Sequence, residues 1–243
     1  MKSFPILLVL ILYSCSVDQE ILNGTLKAAV EDREIVLDNV IACAASSQDG
    51  NLTHVFLYPR PGATDIRYFE TSSLEADKNN FAEYEEVEAS PKDVFNGYLK
   101  RIDAEVPEGK WVIVSFEEKG KMHLCNPIRI KKDSKPTEYL PENVQIEDLG
   151  AVTPRFLWTD GSYDDTIIYF QVVSTENNDL LSGTYTQEKI FRYYNTENVT
   201  LNITRSDPPD LIIGNSYGFT LMGVSEDNWV NLFSERSFAL QEN

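Results

Sequence analysis

No stretch of this chain carries the apolar period of a long amphipathic helix; short runs rich in Val, Ile, Phe, Tyr and Thr follow one another instead, parted by Asp, Asn, Gly and Pro. In the first half these runs fall at 34–37, 40–44, 54–58, 65–71, 81–88, 98–102, 111–116 and 122–130. In the second half they fall at 144–146, 152–158, 166–174, 183–186, 198–204, 217–224 and 230–240. Each run reads as a strand with one face to a core. Without helices between the strands there is nothing to cross over a parallel sheet, so the expected class is all-β, built as sandwiches. Two segments depart from the pattern. Residues 26–32 read as a turn of helix with no cap signal. Residues 90–100 begin with Ser90 as a cap, Pro91 in the first turn and Asp93 near the positive end, but Asn96-Gly97 limits them to a short helix or a turn.

Between Lys131 and Pro141 the composition turns polar and lysine-rich, with a proline at each end of the segment Lys135-Pro136 to Leu140-Pro141. That marks a boundary between two units of about 100 residues each, a size at which each can bury its own core. The expected organisation is a first sandwich over 33–131, a linker over 132–140 and a second sandwich over 141–243. Against 21 basic residues stand 39 acidic ones, a formal charge of −18. Such a surface repels phosphate backbones, and no basic patch with interleaved aromatics offsets it, so nucleic acid is excluded as a partner.

The start of the chain fixes an expected location. Lys2 precedes an apolar run, 4–13, that is too short to span a bilayer. A basic start, short apolar centre and small-residue end are those of a cleavable export signal, here 1–14. Leu12-Tyr13-Ser14-Cys15 resembles the lipobox of bacterial lipoproteins. The resemblance implies a lipid on Cys15, which becomes the new N-terminus, followed by a tether over 15–32. It places the protein in the bacterial cell envelope, at the outer membrane, with the membrane itself as first partner. Ordinary secretory cleavage near Ser16 is the alternative. Asp18 and Glu20 resemble the surface-export tag of lipoproteins from the Bacteroidetes group. With Cys15 acylated, Cys43 and Cys125 remain as either a disulfide or two buried thiols; a bridge would close a loop of about 82 residues, worth about 4 kcal/mol in the chain-entropy picture.

In the second unit the resemblance becomes specific. Phe156-Leu157-Trp158, then Ile168-Tyr169-Phe170, then the corner Leu211-Ile212-Ile213-Gly214-Asn215-Ser216-Tyr217 look like a fibronectin type III domain. In that family a Trp closes the second strand, a Tyr opens the third, and the corner Tyr hydroxyl finds backbone partners. Immunoglobulin-like sandwiches share such patterns. The stretch 98–130 parallels the end of the second unit, with Trp111 in the place of Tyr217, so the chain resembles a tandem of two related sandwiches. In that alignment a Cys43–Cys125 bridge would join the two sheets of the first.

Two loops carry the candidate chemistry. Asp160, Asp164 and Asp165 lie between the second and third strands of the second unit, and in the family's topology they share a pole with Glu226 and Asp227. Together these carboxylates are a candidate Ca²⁺ site, a cation that takes about six to eight oxygens, or else ordinary turn residues. No other cofactor is implied. Tyr163 and Trp229 lie in or beside the same loops, either as exposed aromatics for a glycan or protein partner or, for Trp229, as the core-facing start of the last strand. His54 and His123 have no nucleophile elbow near them, which argues against hydrolase chemistry. The expected function is a lipid-anchored envelope binding or adhesion module presenting loops to a protein or glycan. The alternative is a structural subunit of a multi-protein envelope complex.

Overall fold

The computed structural model describes residues 24–38 and 40–242. The export signal, Cys15 and the first part of the tether lie outside the described residues. A short helix, α1 (Leu26–Val30), comes first, capped by Thr25 Oγ1, which accepts from the Ala28 amide at 3.2 Å; Thr25 is the cap signal that the sequence reading missed. The strands of the first unit are β1 (Ile35–Val36), β2 (Ile41–Ser46), β3 (Thr53–Tyr58), β4 (Thr64–Thr71), β5 (Tyr84–Val87), β6 (Lys92–Val94), β7 (Leu99–Ala104), β8 (Trp111–Glu118), β9 (Lys121–Leu124) and β10 (Ile128–Arg129). They form one sheet ordered β2-β3-β7-β6 and another ordered β1-β9-β8-β4-β5, with β10 against β8.

The second unit begins with β11 (Glu138–Tyr139), β12 (Val144–Glu147), β13 (Arg155–Trp158), β14 (Thr166–Thr175) and β15 (Leu180–Thr186). It ends with β16 (Ile190–Arg192), β17 (Val199–Asn202), β18 (Ser216–Ser225) and β19 (Val230–Ala239). Its sheets are β12-β13-β16 and β11-β19-β18-β14-β15-β17. The protein is therefore all-β, two tandem sandwiches, as the spacing of the apolar runs implies. In the second, Phe156, Trp158, Tyr169, Phe219 and Leu221 fill the space between the sheets. Phe156 stacks on Phe219 at 4.1 Å between ring centroids. The Tyr217 hydroxyl accepts from the Ile212 amide at 2.8 Å, closing the corner.

The two sandwiches are stacked face to face. Successive side chains on a strand point to opposite faces, and on β14 and β18 both faces are buried. Tyr169, Val173, Phe219 and Leu221 enter the core of the second sandwich. Phe170, Val172, Met222 and Val224 point the other way and meet Cys43, Ala45, Phe56 and Leu99 from the β2-β3-β7 face of the first. Phe56 stacks on Phe233 across this seam at 6.1 Å. Four sheets are thus layered with three apolar cores between them. At one edge the Arg205 guanidinium lies 4.0 Å from the ring centre of Tyr98, whose hydroxyl donates to the Ile203 carbonyl at 2.8 Å.

Residues 132–140, polar in composition, are tied into this stack. Thr137 is buried, and it exchanges hydrogen bonds with Ser46: Ser46 N to Thr137 Oγ1 at 3.0 Å and Thr137 N to Ser46 Oγ at 2.8 Å. β11 then runs parallel to β19.

Two expectations are corrected here. Residues 90–100 form a hairpin, not a helix: β6 pairs with β7, and the turn between them places Phe95, Asn96 and Gly97 at positive φ. Asn and Gly tolerate that backbone region, so the turn signal prevailed over the cap signal. Cys43 and Cys125 are free thiols, both buried. The two-residue period explains why. On β2, Ala42 and Ala44 face the first sandwich's core, where Cys125 lies, whereas Cys43 faces the seam. The two sulfurs occupy different cores.

Candidate functional site

The acidic loops do not converge on a cation. Asp160 accepts from the Tyr169 hydroxyl at 2.5 Å and pairs with Lys189. Asp165 is held by Lys135 and by Asn231 Nδ2 at 2.8 Å. The Lys135 ammonium is the main cause that keeps the Asp165 carboxyl below the usual carboxylate range. Asp227 accepts from Ser225 Oγ at 2.7 Å and pairs with Lys131 Nζ at 2.6 Å. Asp164 and Glu226 are exposed. Among the described residues no group of three or more Asp, Glu, His or Cys could hold a metal ion. Of the five carboxylates grouped as a candidate Ca²⁺ site, Asp160, Asp165 and Asp227 are each paired with a separate lysine.

The two aromatics also separate. Tyr163 is half-buried, with the Lys135 ammonium 4.8 Å from its ring centre. Trp229 is fully buried, which corrects it as a binding residue and agrees with its other reading as a core-facing side chain at the start of the last strand. It lies within the core of the first sandwich, although its chain position is at the start of β19 in the second. Ala44 N donates to the Asn228 carbonyl at 3.0 Å, and Trp229 Nε1 donates to the Lys135 carbonyl at 2.7 Å. The turn at Glu226–Asn228, expected to project into solvent, therefore docks on β2 and drives the indole across the seam.

A groove of about 870 Å³ runs where the sandwiches meet. The first sandwich contributes Leu37, Lys78, Phe81, Trp111, Asn126 and Arg129. The second contributes Asp165, Ile167 and the turn residues Glu226, Asp227 and Asn228. Leu37 and Ile167 are 58% and 53% exposed, high values for large apolar side chains facing one cleft. Lys78 Nζ lies 5.2 Å from the Trp111 ring centre. The Lys131–Asp227 pair, both residues on the groove, links the two walls, and Arg129 N donates to the Asp227 carbonyl at 3.1 Å.

Both histidines are built into the scaffold. His54 Nδ1 lies 2.7 Å from Asp103 Oδ1, and burial pushes its pKa down. His123 stacks on Phe116 at 5.3 Å, and Arg60 Nη2 donates to its Nδ1 at 2.8 Å. Because an arginine cannot accept, Nδ1 is the acceptor in this bond. The Cys125 thiol, beside the groove, accepts from the Val114 amide at 3.1 Å, and burial pushes it up to about 12. It is an inert core group rather than a nucleophile.

Sequence reasoning missed the groove. Its residues are far apart in the chain and converge only through the stacking. The local excess of basic residues at Arg129, Lys131 and Lys132 in a strongly acidic chain was the available signal.

No family model matches this chain, and no curated protein matches it. Among solved structures it is similar to the FN1–FN3 domains of chicken CNTN1, with 12% identity and a TM-score of 0.34, covering 86% of this chain and 69% of that one. It is also similar to a two-domain fibronectin type III segment from chicken tenascin, with 10% identity and a TM-score of 0.30, covering 83% and 98%. At such scores these likenesses carry no functional argument. The sandwich assignment rests on the sheets and cores themselves.

Proposed function

We propose that the protein is a non-catalytic binding module of the cell envelope. In this reading it is held to the membrane through a lipid on Cys15 and offers the groove between its sandwiches to a partner. The observation that carries it is the construction of the groove: both walls come from different sandwiches, and the apolar seam fixes their spacing. A rigid cleft with exposed apolar side chains and a few placed polar groups is what a binding site requires. Large exposed apolar residues gathered at one place mark interaction surfaces. The anchor reading is supported by the 1–15 segment. Intact-mass measurement of the native protein should find diacyl- or triacyl-cysteine at position 15, in the membrane fraction. An unmodified thiol in a soluble fraction would remove the anchor. For the groove, Ile167→Asp should abolish partner retention without changing the melting temperature, since Ile167 contributes to no core.

A second reading, a structural subunit of an envelope complex, has one observation in its favour. Ile212 and Ile213, on the turn leading into the Tyr217 corner, are 61% and 41% exposed. Co-purification that survives Ile167→Asp but is lost in Ile212→Asp would favour it.

A further inference from the structure

We infer that the groove between the sandwiches binds an uncharged oligosaccharide chain, with Trp111 as the platform on which a sugar ring stacks. The inference rests on the groove being the contact site, and it adds the class of ligand.

The charges of the groove come first. Lys131 is neutralised by Asp227, and Asp165 by Lys135. The remaining lining charges, Lys78 and Arg129 against Asp38 and Glu226, balance. A cleft whose ionic groups cancel offers no net attraction to a polyanion or a polycation, and the chain's −18 charge further repels anions. A neutral ligand fits this field.

The polar lining then selects hydroxyl groups. The side-chain amides of Asn79 and Asn126, both on the groove, make no hydrogen bond among the described residues. An amide presents donors and an acceptor side by side, which matches a hydroxyl that must do both. The ammonium of the exposed Lys78 lies over the Trp111 ring, 5.2 Å from its centre, and brings N–H donors to that face. Trp111 and Phe81 supply the apolar surface that the C–H face of a pyranose covers.

A peptide strand is the competing neutral occupant, and the backbone of the groove argues against it. Strand addition needs unpaired amides and carbonyls along a sheet edge. Here β1 already covers Met122 and His123, the Leu124 carbonyl accepts from Val40 N, and Cys125 N donates to Val114. Arg129 N and Ile130 N are likewise used, by the Asp227 and Lys110 carbonyls.

Of the three tryptophans, Trp158 and Trp229 are buried, so a ligand reaching an indole reaches Trp111. The test titrates the mature protein with maltohexaose, cellohexaose, xylohexaose and mannohexaose, following tryptophan fluorescence and indole N–H shifts. A trigalacturonate and a pool of uncharged decapeptides are run in parallel. At least one neutral hexaose should quench and shift the Trp111 signal. Affinity should fall at least tenfold in Trp111→Ala and severalfold in Asn126→Ala. Asn126 is exposed, so the second variant keeps the fold if the first does not. Failure of all four neutral chains, tighter binding of trigalacturonate, or affinity unchanged in both variants overturns the inference. Peptide binding sensitive to Asn126→Ala would overturn the sugar and leave the groove as contact site. No binding by any probe, together with partner retention unaffected by Ile167→Asp, would overturn both.

Discussion

Trp229 is the residue on which the two halves of the molecule depend most. It belongs by sequence to the second sandwich and by packing to the core of the first, with its indole N–H paired to Lys135. Removing so large a buried ring leaves a cavity that the β-scaffold cannot close; Trp229→Ala should cost about 3–5 kcal/mol in denaturant unfolding. Tyr217→Phe removes only the corner hydrogen bond to Ile212 and should cost about 1 kcal/mol. The thiols offer a direct chemical check. Cys43 and Cys125 are buried, and burial pushes both pKa values up to about 12. Under non-reducing conditions both should resist iodoacetamide in the native protein and label fully after unfolding in guanidinium. Lack of labelling after unfolding would restore the disulfide. The Asp103 cluster sets a pH dependence. Burial alone would raise the Asp103 carboxyl, but hydrogen bonds from Lys92, Arg101 and His54 overcome it and hold the group at about 2. His54 is depressed by burial. In both groups the unfolded chain binds protons more readily than the folded one. Stability is therefore whole above the ordinary histidine range, declines as the unfolded imidazole protonates, and declines further as pH falls from the ordinary aspartate range towards 2. Asp103→Asn should flatten the lower part of that profile in thermal melts.

At the scale of elements, the sandwiches were legible because alternation and turn residues are local signals. β3, β4, β8, β14, β18 and β19 lie where the apolar runs placed them, and the Leu211-to-Tyr217 corner closed as its pattern implies. The stacking was not read, although part of its signal was present. Ile167-Ile168-Tyr169-Phe170-Gln171-Val172-Val173 alternates hardly at all, and a near-continuous apolar run is the mark of a strand buried on both faces. The groove lay beyond local signals altogether, since Trp111, Asn126, Ile167 and Asp227 meet only after the sheets stack. Trp229 faces a core, as its second reading implied, but position beside a loop cannot reveal that the core belongs to the other sandwich. β14 gives the test at this scale. Phe170 and Tyr169 are neighbours in sequence but serve the seam and the second core respectively. Phe170→Ala should destabilise both sandwiches together by about 3–5 kcal/mol, seen as loss of amide-exchange protection on β3 as well as β18.

For the whole molecule, the seam decides whether the sandwiches behave as two bodies or one. Fully burying a Val, Met or Phe contributes about 1.5–3 kcal/mol. Phe56, Phe170, Val172, Met222, Val224, Val230 and Phe233 together then contribute on the order of 10 kcal/mol, the size of a whole domain's stability. Relative motion between domains is the default only where the interface is small or polar. Here the interface is a third core, braced at its edge by Arg205 on Tyr98 and by Asn96 Nδ2 donating to Asp179 at 2.6 Å. That rigidity keeps the groove walls at fixed spacing, and the proposed binding role follows from it. Differential scanning calorimetry of the mature chain tests the claim most directly. One transition is predicted, with calorimetric and van't Hoff enthalpies equal, moving down as a unit in Trp229→Ala. Two resolved transitions, of which the substitution lowers only one, would contradict it.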